Sequence, residues 1–491
     1  MSTAAERTHS SEGTLAEREG NGGEKGRQAD SGPRQVSLWS SELKEERAAY
    51  LKQWLLALGG ITLFMWMALP IYWGAYFRQA QNLYRLTVAL VDLDTPGSAA
   101  LGRTPVLGPA LLAAPGQLDA ARKHHLGFVK VDNTPFDISN VTGGAQRGLN
   151  VFEWAMHAVV NEDYFGVIIA APNATAQAVS AYEQLASGTQ NVQYDPSGAL
   201  TMYYEEGRNF ETEDQWVAPG MTSFINQYVA GSAASALLAQ LAPRLGALSD
   251  AQYAAINTTA LGSVLAKPFG FSQWNLRPID QFAGIPATSV GMLYLLIFTY
   301  FVSIFWNTAR MGIESKLRLK DLVILRLFVP VVQYFFISLW VSLVTLAYQV
   351  SFDRWWGKGG FPLFWASNFL GQWALGMYME IALTFLGPKY TAFFLIIDVI
   401  LNVSVAFIDI ADQDHFYSYG FIMPVFQAVQ IGKSILFGTK SRMGQYFGIN
   451  IAWAACGTLL LAAATIFKRR REEKKRALEK AQEKQKRVGQ A

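Results

Sequence analysis

Six long apolar runs dominate the pattern of hydrophobic and polar positions along the chain. The first, Trp54–Phe77, contains no charged residue. A membrane-spanning helix needs about 20 consecutive, mainly apolar residues to cross roughly 30 Å of hydrocarbon, so each run predicts a transmembrane helix. The other five runs lie after Pro286, at about Ala287–Trp306, Leu322–Val350, Leu363–Leu386, Thr391–Ile408 and Phe447–Phe467.

Between the first two runs, the pattern changes to short β-branched stretches and Ala-rich stretches. Leu86–Asp94 and Phe165–Ala170 are apolar and are followed by turn residues, which is typical of buried strands. Ala174–Ser187 and Ser223–Leu241 are rich in Ala, which favours helices. Residues 78–286 therefore predict a folded α/β domain rather than a loop.

Charged residues are concentrated at the two ends of the chain and beside particular spans. Residues 1–52 are polar and predict a disordered tail, because they offer too little apolar surface to offset chain entropy. The tail 468–491 has 11 Lys or Arg against 4 Glu, a net charge of +7. Lys and Arg also precede the first span and fill the loop Asn307–Asp321. By the positive-inside rule these flanks are cytoplasmic.

Composition agrees with a membrane protein, since 51% of residues are hydrophobic and only 16% are charged, against about 25% charged in soluble domains. The predicted fold class is an integral membrane α-helical bundle of six transmembrane helices, with both termini cytoplasmic. A large α/β non-cytoplasmic domain lies between helices 1 and 2. The predicted segments are a disordered cytoplasmic tail at 1–52, the first transmembrane helix at 53–77, an extracellular or lumenal α/β domain at 78–286, a five-helix transmembrane bundle at 287–467 and a basic cytoplasmic tail at 468–491.

Ionisable residues inside the predicted spans are the strongest candidates for a site. Glu380 and Asp398 lie at matching depth on either side of the tight turn Gly387–Tyr390, and Arg326 enters the membrane from the same side. A charge in hydrocarbon costs several kcal/mol unless it is paired or hydrated. We therefore predict one buried polar cluster of Arg326, Glu380 and Asp398, which is either a structural clamp or part of a polar pathway.

The predicted outer domain carries three N-glycosylation tripeptides, at Asn140, Asn173 and Asn257. They predict a glycoprotein. The one cysteine, Cys456, lies in an apolar run, so the chain has no partner for it in an internal disulfide.

Motifs for cofactors and catalysis are weak. Gly432–Ser434 resembles the end of a phosphate-binding loop, but Gln427 stands where the loop needs a glycine. No Gly-x-Ser-x-Gly elbow occurs in the predicted outer domain. An acidic cluster lacks the glycine and distal glutamate of a calcium loop, so we interpret it as a solvated loop. Its members are Asp409, Asp412, Asp414 and His415. We expect no cofactor, no metal and no enzyme activity.

The order of segments resembles a known family. Ala68–Ala75 ends the first span, and Val88–Asp94 and Phe165–Thr175 follow it. Together they resemble the fungal nitrosoguanidine-resistance membrane proteins, which are similar to the phage-infection-protein-like group and to permeases of type-2 ABC exporters. The resemblance covers about residues 50–467. It implies tolerance to toxic small molecules, by export or by altered membrane lipids, and a permease-like body without its own nucleotide-binding domain.

The leading hypothesis is a membrane transporter or transporter-like resistance factor for toxic small molecules or lipids. The alternative is a non-transporting scaffold or receptor whose outer domain binds a partner, and a membrane enzyme ranks third. Expected partners are membrane lipids and an amphipathic drug or lipid substrate, without nucleic acid; homo-oligomers stay open. We expect the plasma membrane as the location, with the endoplasmic reticulum or another endomembrane as the alternative.

Overall fold

The computed structural model describes residues 37, 39–121, 123–132, 136–137, 142–143, 150–189, 192–250 and 258–488. Among these residues, six helical segments are long and apolar enough to cross a membrane, which confirms the predicted number of spans. The segments are Ser41–Tyr76, Val290–Glu314, Leu319–Ala347, Asp353–Leu386, Pro388–Ala406 and Met443–Glu483. Two structural units meet between Phe64 and Met65.

Helices account for most of the described residues. The first nine are α1 Lys44–Tyr76, α2 Gln79–Asn82, α3 Asp94–Ala100, α4 Leu107–Ala120, α5 Val151–Val160, α6 Ala174–Ala186, α7 Phe210–Thr212, α8 Ala218–Phe224 and α9 Gly231–Gly246. The next nine are α10 Thr258–Ala266, α11 Gly284–Ala287, α12 Val290–Glu314, α13 Leu319–Ala347, α14 Asp353–Trp356, α15 Gly360–Leu386, α16 Pro388–Ala406, α17 Pro424–Leu436 and α18 Met443–Val488.

A mixed sheet forms the core of the region between α1 and α12. The strands are β1 Thr87–Asp92, β2 Gly127–Lys130, β3 Phe136–Asp137, β4 Thr142–Gly143, β5 Gly166–Ala170, β6 Leu200–Tyr204 and β7 Phe271–Asn275. Five of them pair in the order β2-β1-β5-β6-β7. Only the β5–β6 pair is antiparallel within this sheet. Strands β3 and β4 form a separate antiparallel pair.

Both faces of this sheet are covered by helices. Val88 and Leu90 of β1 pack on the face that contacts α4, α6 and α9. Ala89 and Val91, which alternate with them, pack on the opposite face against α5. Burial on both faces explains why β1 is a nearly continuous apolar run, as the sequence indicated.

The helix ends differ from the apolar runs. Residues 44–52, which we assigned to a disordered tail, belong to α1. The Ser40 side chain accepts a hydrogen bond from the Glu42 N–H and caps the short 3-10 turn before α1. Glu45 and Glu46 in the first turn favour the positive end of the helix dipole. These polar signals extend the helix beyond its apolar part.

Among the last five spans, α15 lies at the centre and the other four pack around it. Its membrane-spanning part is 61% buried, against 28–39% for the other four. Apolar contacts join α12, α13, α15 and α18 through residues such as Val302, Tyr334, Met377 and Leu461. The buried position of α15 makes its side chains the centre of any site within the bundle.

Candidate functional site

A row of buried residues follows one face of α15. Its members recur every fourth position, so they lie one above another on the same side of the helix. All five are buried. They are Asn368, Gln372, Gly376, Glu380 and Thr384. At 1.5 Å per residue, this row extends over about 24 Å, most of the hydrocarbon thickness.

A second row on α13 has the same spacing. Its buried members are Arg326, Pro330, Tyr334, Ser338 and Ser342. The Asn368 amide donates to the Ser342 hydroxyl at 2.9 Å. At the middle of the row, the Tyr334 ring occupies the space that a Cβ atom at Gly376 would need. We call these two facing rows the polar seam.

One end of the polar seam is a buried ion cluster. The Glu380 carboxylate lies 3.0 Å from the Arg310 guanidinium and 3.7 Å from the Arg326 guanidinium. These three side chains are at most 2% exposed. Arg310 also lies 3.3 Å from Glu314, and Arg326 donates to the Thr384 hydroxyl. Two arginines and two carboxylates therefore balance their charges, which burial requires.

The structure brings two of the three predicted cluster residues together. Arg326 and Glu380 form the ion pair, but Asp398 does not join them and instead accepts from the Asn402 amide at 2.9 Å. Two residues at the same depth in the membrane can lie on different faces of their helices. Depth alone therefore wrongly predicted that Asp398 of α16 is the third residue of the cluster. Arg310 takes that place.

Sequence analysis missed Arg310 because it placed the end of the second span at Trp306. The helix continues to Glu314. The spacing of polar residues could have indicated that Arg310 is buried, because Thr299, Ser303 and Arg310 recur on one face of α12. All three are buried in the structure. A cation that contributes to the positive-inside pattern can thus also belong to the bundle interior.

Polar groups without partners lie near the middle of the seam. Gln372 is fully buried, and neither its amide nitrogen nor its oxygen has a hydrogen-bond partner among the described residues. The Asn368 oxygen also lacks one. Each buried unsatisfied group costs about 1–3 kcal/mol. The fold retains these amides although apolar side chains would suit a purely structural core.

An apolar cleft of about 840 Å³ lies between α12, α13 and α15. Aliphatic and aromatic side chains form its walls, and the aromatic ones include Tyr294, Phe298, Trp340 and Phe364. Asn368, the first residue of the polar seam, is also part of the lining. A small void shares Met292, Leu295 and Asn368 with the cleft and reaches Gln372. The cleft thus adjoins the seam.

Charged residues are also buried between the five-stranded sheet and the bundle. Arg208 lies 3.4 Å from the Asp409 carboxylate, and its guanidinium carbon stacks 3.5 Å from the centre of the Phe165 ring. The Lys433 ammonium donates to the Arg208 carbonyl at 2.9 Å. Burial lowers the pKa of Lys433 to about 8.

Two glutamates lie beside Arg208 and are fully buried. In the part of the chain that the structure describes, no carboxylate oxygen of Glu205 or Glu213 has a hydrogen-bond partner. Burial, reinforced by the Glu162 charge, raises the pKa of Glu205 to about 8. Burial also raises the pKa of Glu213 well above its ordinary value, against the opposing effect of Arg208. Burial therefore favours the protonated form of both carboxyl groups.

The acidic cluster at Asp409–His415 is only in part the solvated loop that we expected. Asp412 is fully buried and accepts from the Gln79 amide at 3.2 Å, and burial raises its pKa to about 7. Packing against α2 removes Asp412 from water, whereas Asp414 and His415 stay exposed. Across the described part of the chain, no group of three or more His, Cys, Asp or Glu side chains is arranged to hold a metal ion.

Of the three predicted glycosylation sites, Asn140 and Asn257 lie outside the described residues. Asn173 is half-buried at the start of α6. Thr175 of the same tripeptide is fully buried, and its hydroxyl donates to Asp94 at 2.6 Å. Glycosylation stays a prediction. At Asn173, a glycan would have to be attached to a half-buried residue at the N-terminus of α6.

Six candidate spans, five of them packed together with a buried polar seam, define a multi-pass integral membrane protein. The chain belongs to the family described as "Protein of unknown function (DUF3533)", whose model matches residues 60–459. It is similar to YJR015W of Saccharomyces cerevisiae, described as an uncharacterized endoplasmic reticulum membrane protein, with 25% identity over 441 residues, 87% of this chain and 82% of the relative. No solved structure matches the chain. These findings support a fungal membrane protein family.

Proposed function

We propose that this protein is a transporter-like membrane protein that accepts a lipid or a lipid-like toxic compound from the bilayer. The observation that carries the proposal is the apolar cleft, because its lining includes the first residue of the polar seam. An amphipathic molecule needs both surfaces, one for its hydrocarbon part and one for its polar part.

The cleft has the size and chemistry of a ligand site. Small-molecule sites measure about 300–1,000 Å³, and their walls are mainly apolar with a few polar groups. This cleft measures about 840 Å³, and its walls contain aromatic rings and the Asn368 amide. Its walls belong to the spans α12, α13 and α15, so a bilayer lipid reaches it without crossing water.

The resemblance to nitrosoguanidine-resistance proteins and to type-2 ABC permeases supports the same role. In such permeases, the segment Thr308–Asp321 corresponds to the part that meets a nucleotide-binding subunit. Here Arg310 of that segment pairs with Glu380 inside the bundle, so a partner that moved α12 would act directly on the seam. The yeast relative favours the endoplasmic reticulum as the location; the plasma membrane stays a prediction.

The proposal is tested by flux in proteoliposomes of the purified full-length protein. Movement of a fluorescent phospholipid and uptake of a cationic dye are measured with and without a proton gradient. Val344→Trp places a large ring in the cleft, since Val344 lines it. We expect this variant to slow movement at least tenfold, because the ring occupies the space that the hydrocarbon chain requires.

Leu346→Trp is the matched control. Leu346 lies on the same helix, is 44% exposed and does not line the cleft. It should transport as the wild type does. Equal loss in both variants would contradict a role for the cleft. Absence of flux from the wild-type protein with either probe would instead favour the scaffold or receptor function.

A further inference from the structure

A second cavity, of about 460 Å³, lies where the region of the sheet meets the bundle. Four glutamine side chains line it, so we call it the glutamine chamber. They are Gln413, Gln427, Gln430 and Gln445. Phe421, Phe426 and Tyr446 add aromatic surface. The chamber shares no lining residue with the apolar cleft, so the inference below is independent of the proposed transport function.

Two of these glutamines have unused hydrogen-bonding capacity. Gln413 is 1% exposed and Gln427 is fully buried. Their amide nitrogens donate to the carbonyls of Ser404 and Phe421, at 2.6 and 2.7 Å. The side-chain oxygen of each is shielded from water and has no partner among the described residues. Because buried acceptors are nearly always paired, two such oxygens on residues that line one chamber leave hydrogen-bonding capacity close to its surface.

Other polar groups in the lining make no hydrogen bond with the described residues. Glu162 is half-buried, and its carboxylate makes no hydrogen bond or ion pair with the described residues. The Arg442 guanidinium makes no hydrogen bond in the described part of the chain and interacts with the Glu162 charge only at longer range. The Gln430 amide also makes no hydrogen bond there. Carboxylate, guanidinium and amide groups together offer both acceptors and donors.

The charges of the lining cancel. Three arginines face three carboxylates, and their formal sum is zero with His415 neutral. The six are Arg85, Arg208, Arg442, Glu162, Asp409 and Asp414. A chamber without net charge does not select a strongly charged ion. Groups that donate and accept at once, as amides do, match hydroxyl groups, which have the same dual capacity.

We propose that the glutamine chamber binds a polyhydroxylated group, either the headgroup of a membrane lipid or a free polyol. Hydroxyls of the ligand donate to the Glu162 carboxylate and accept from Gln430 and Arg442, and a small rotation of the buried Gln427 amide brings its unpaired oxygen to the ligand. The aromatic rings cover the apolar C–H face of the ligand.

The full-length protein in detergent is titrated calorimetrically with free myo-inositol. In a second arm, its binding is compared between phosphatidylcholine vesicles that contain one-fifth phosphatidylinositol and vesicles with one-fifth phosphatidylserine, which carry the same charge without the polyol. We expect saturable binding of inositol or a preference for phosphatidylinositol. Gln427→Leu and Gln430→Leu should each weaken it about tenfold, since each removes a hydrogen bond.

Gln430→Leu keeps the test open if Gln427→Leu fails to fold, because the Gln430 side chain has no described partner to lose. Gln333→Leu is the matched control, since Gln333 also has an unpaired side-chain oxygen but lies on α13 outside the chamber. Free inositol alone would assign the chamber to a soluble polyol, and a vesicle preference alone to a lipid headgroup. Equal binding to both vesicles without an inositol response, or full binding by Gln430→Leu, would overturn the proposal.

Discussion

At the scale of single residues, Glu205 shows how burial creates pH dependence outside the membrane spans. Its carboxyl is fully buried, and its pKa rises from 4.5 to about 8. A raised pKa means that the folded state holds the proton more tightly than the unfolded state. The stabilising effect is complete below pH 4.5 and is lost as pH rises through about 8, by at most about 1.4 kcal/mol per pH unit.

We therefore expect Glu205→Gln to reduce the loss of stability between pH 5 and pH 8. The amide keeps the shape of the protonated carboxyl and cannot ionise. Thermal unfolding of the detergent-solubilised protein at both pH values measures the effect. Glu183→Gln, at a partly exposed glutamate on α6, should retain the wild-type pH dependence. Identical pH profiles for wild type and Glu205→Gln would show that Glu205 is ionised in the folded protein.

The two intramembrane carboxylates should respond differently to neutralisation. Glu380→Gln leaves two buried arginines with one carboxylate fewer, and breaking a buried pair costs about 3–5 kcal/mol. We expect strongly reduced protein abundance.

Asp398→Asn removes no ion pair of the described residues, because Asp398 bonds only to Asn402, so abundance should stay near wild type. Quantitative immunoblots of both variants, read beside drug tolerance in the same cells, distinguish a clamp from a pathway. Loss of tolerance in Asp398→Asn at normal abundance would assign Asp398 to a pathway.

At the scale of elements, the contact between α13 and α15 depends on a glycine. A Cβ atom at Gly376 would overlap the Tyr334 ring. Gly376→Ala should therefore destabilise the protein by about 1–3 kcal/mol, as overpacking of a core does. At Gly371 on the same helix, a Cβ would lie 3.6 Å from that of Ala428, an ordinary contact.

Gly371→Ala is thus the control and should melt close to the wild type. Thermal unfolding in detergent compares the two variants. If Gly376→Ala also melted with the wild type, Tyr334 would have to move easily, and the seam would not be tightly packed at its middle.

Much of the element order follows from the sequence, because span length and apolar content are direct consequences of bilayer thickness. Strand β1 and helix α6 are also visible as a continuous apolar run and an Ala-rich stretch. The polar seam is visible in the sequence too, since Asn368, Gln372 and Glu380 are spaced by four and eight residues and therefore share one helix face. The partner of Glu380 and the burial of Asp412 depend on tertiary packing, which no local pattern records.

At the scale of the whole molecule, the positive-inside rule predicts that both tails are cytoplasmic and that residues 78–286 face the other side. The single cysteine makes this testable. In a Cys456→Ser background, Gln240→Cys and Lys480→Cys are labelled with a membrane-impermeant maleimide. After selective permeabilisation of the plasma membrane, Lys480→Cys should react.

Gln240→Cys reports the compartment as well as the topology. It should react in intact cells if the protein is in the plasma membrane, and only after full solubilisation if it is in the endoplasmic reticulum. Labelling of Lys480→Cys in intact cells would contradict the predicted orientation.

The final helix gives the molecule a mechanical property. Helix α18 is a single helix of 46 residues, about 69 Å long, whereas the hydrocarbon layer takes only about 30 Å. Arg469 donates to the carbonyls of Ser315 and Leu317, close to where the helix leaves the bundle. A tilt of about 10° at that pivot would displace a tip about 30 Å away by about 5 Å, if the helix stays rigid. The basic tail then works as one arm of a lever, and a fluorophore at its end would report small movements of the bundle.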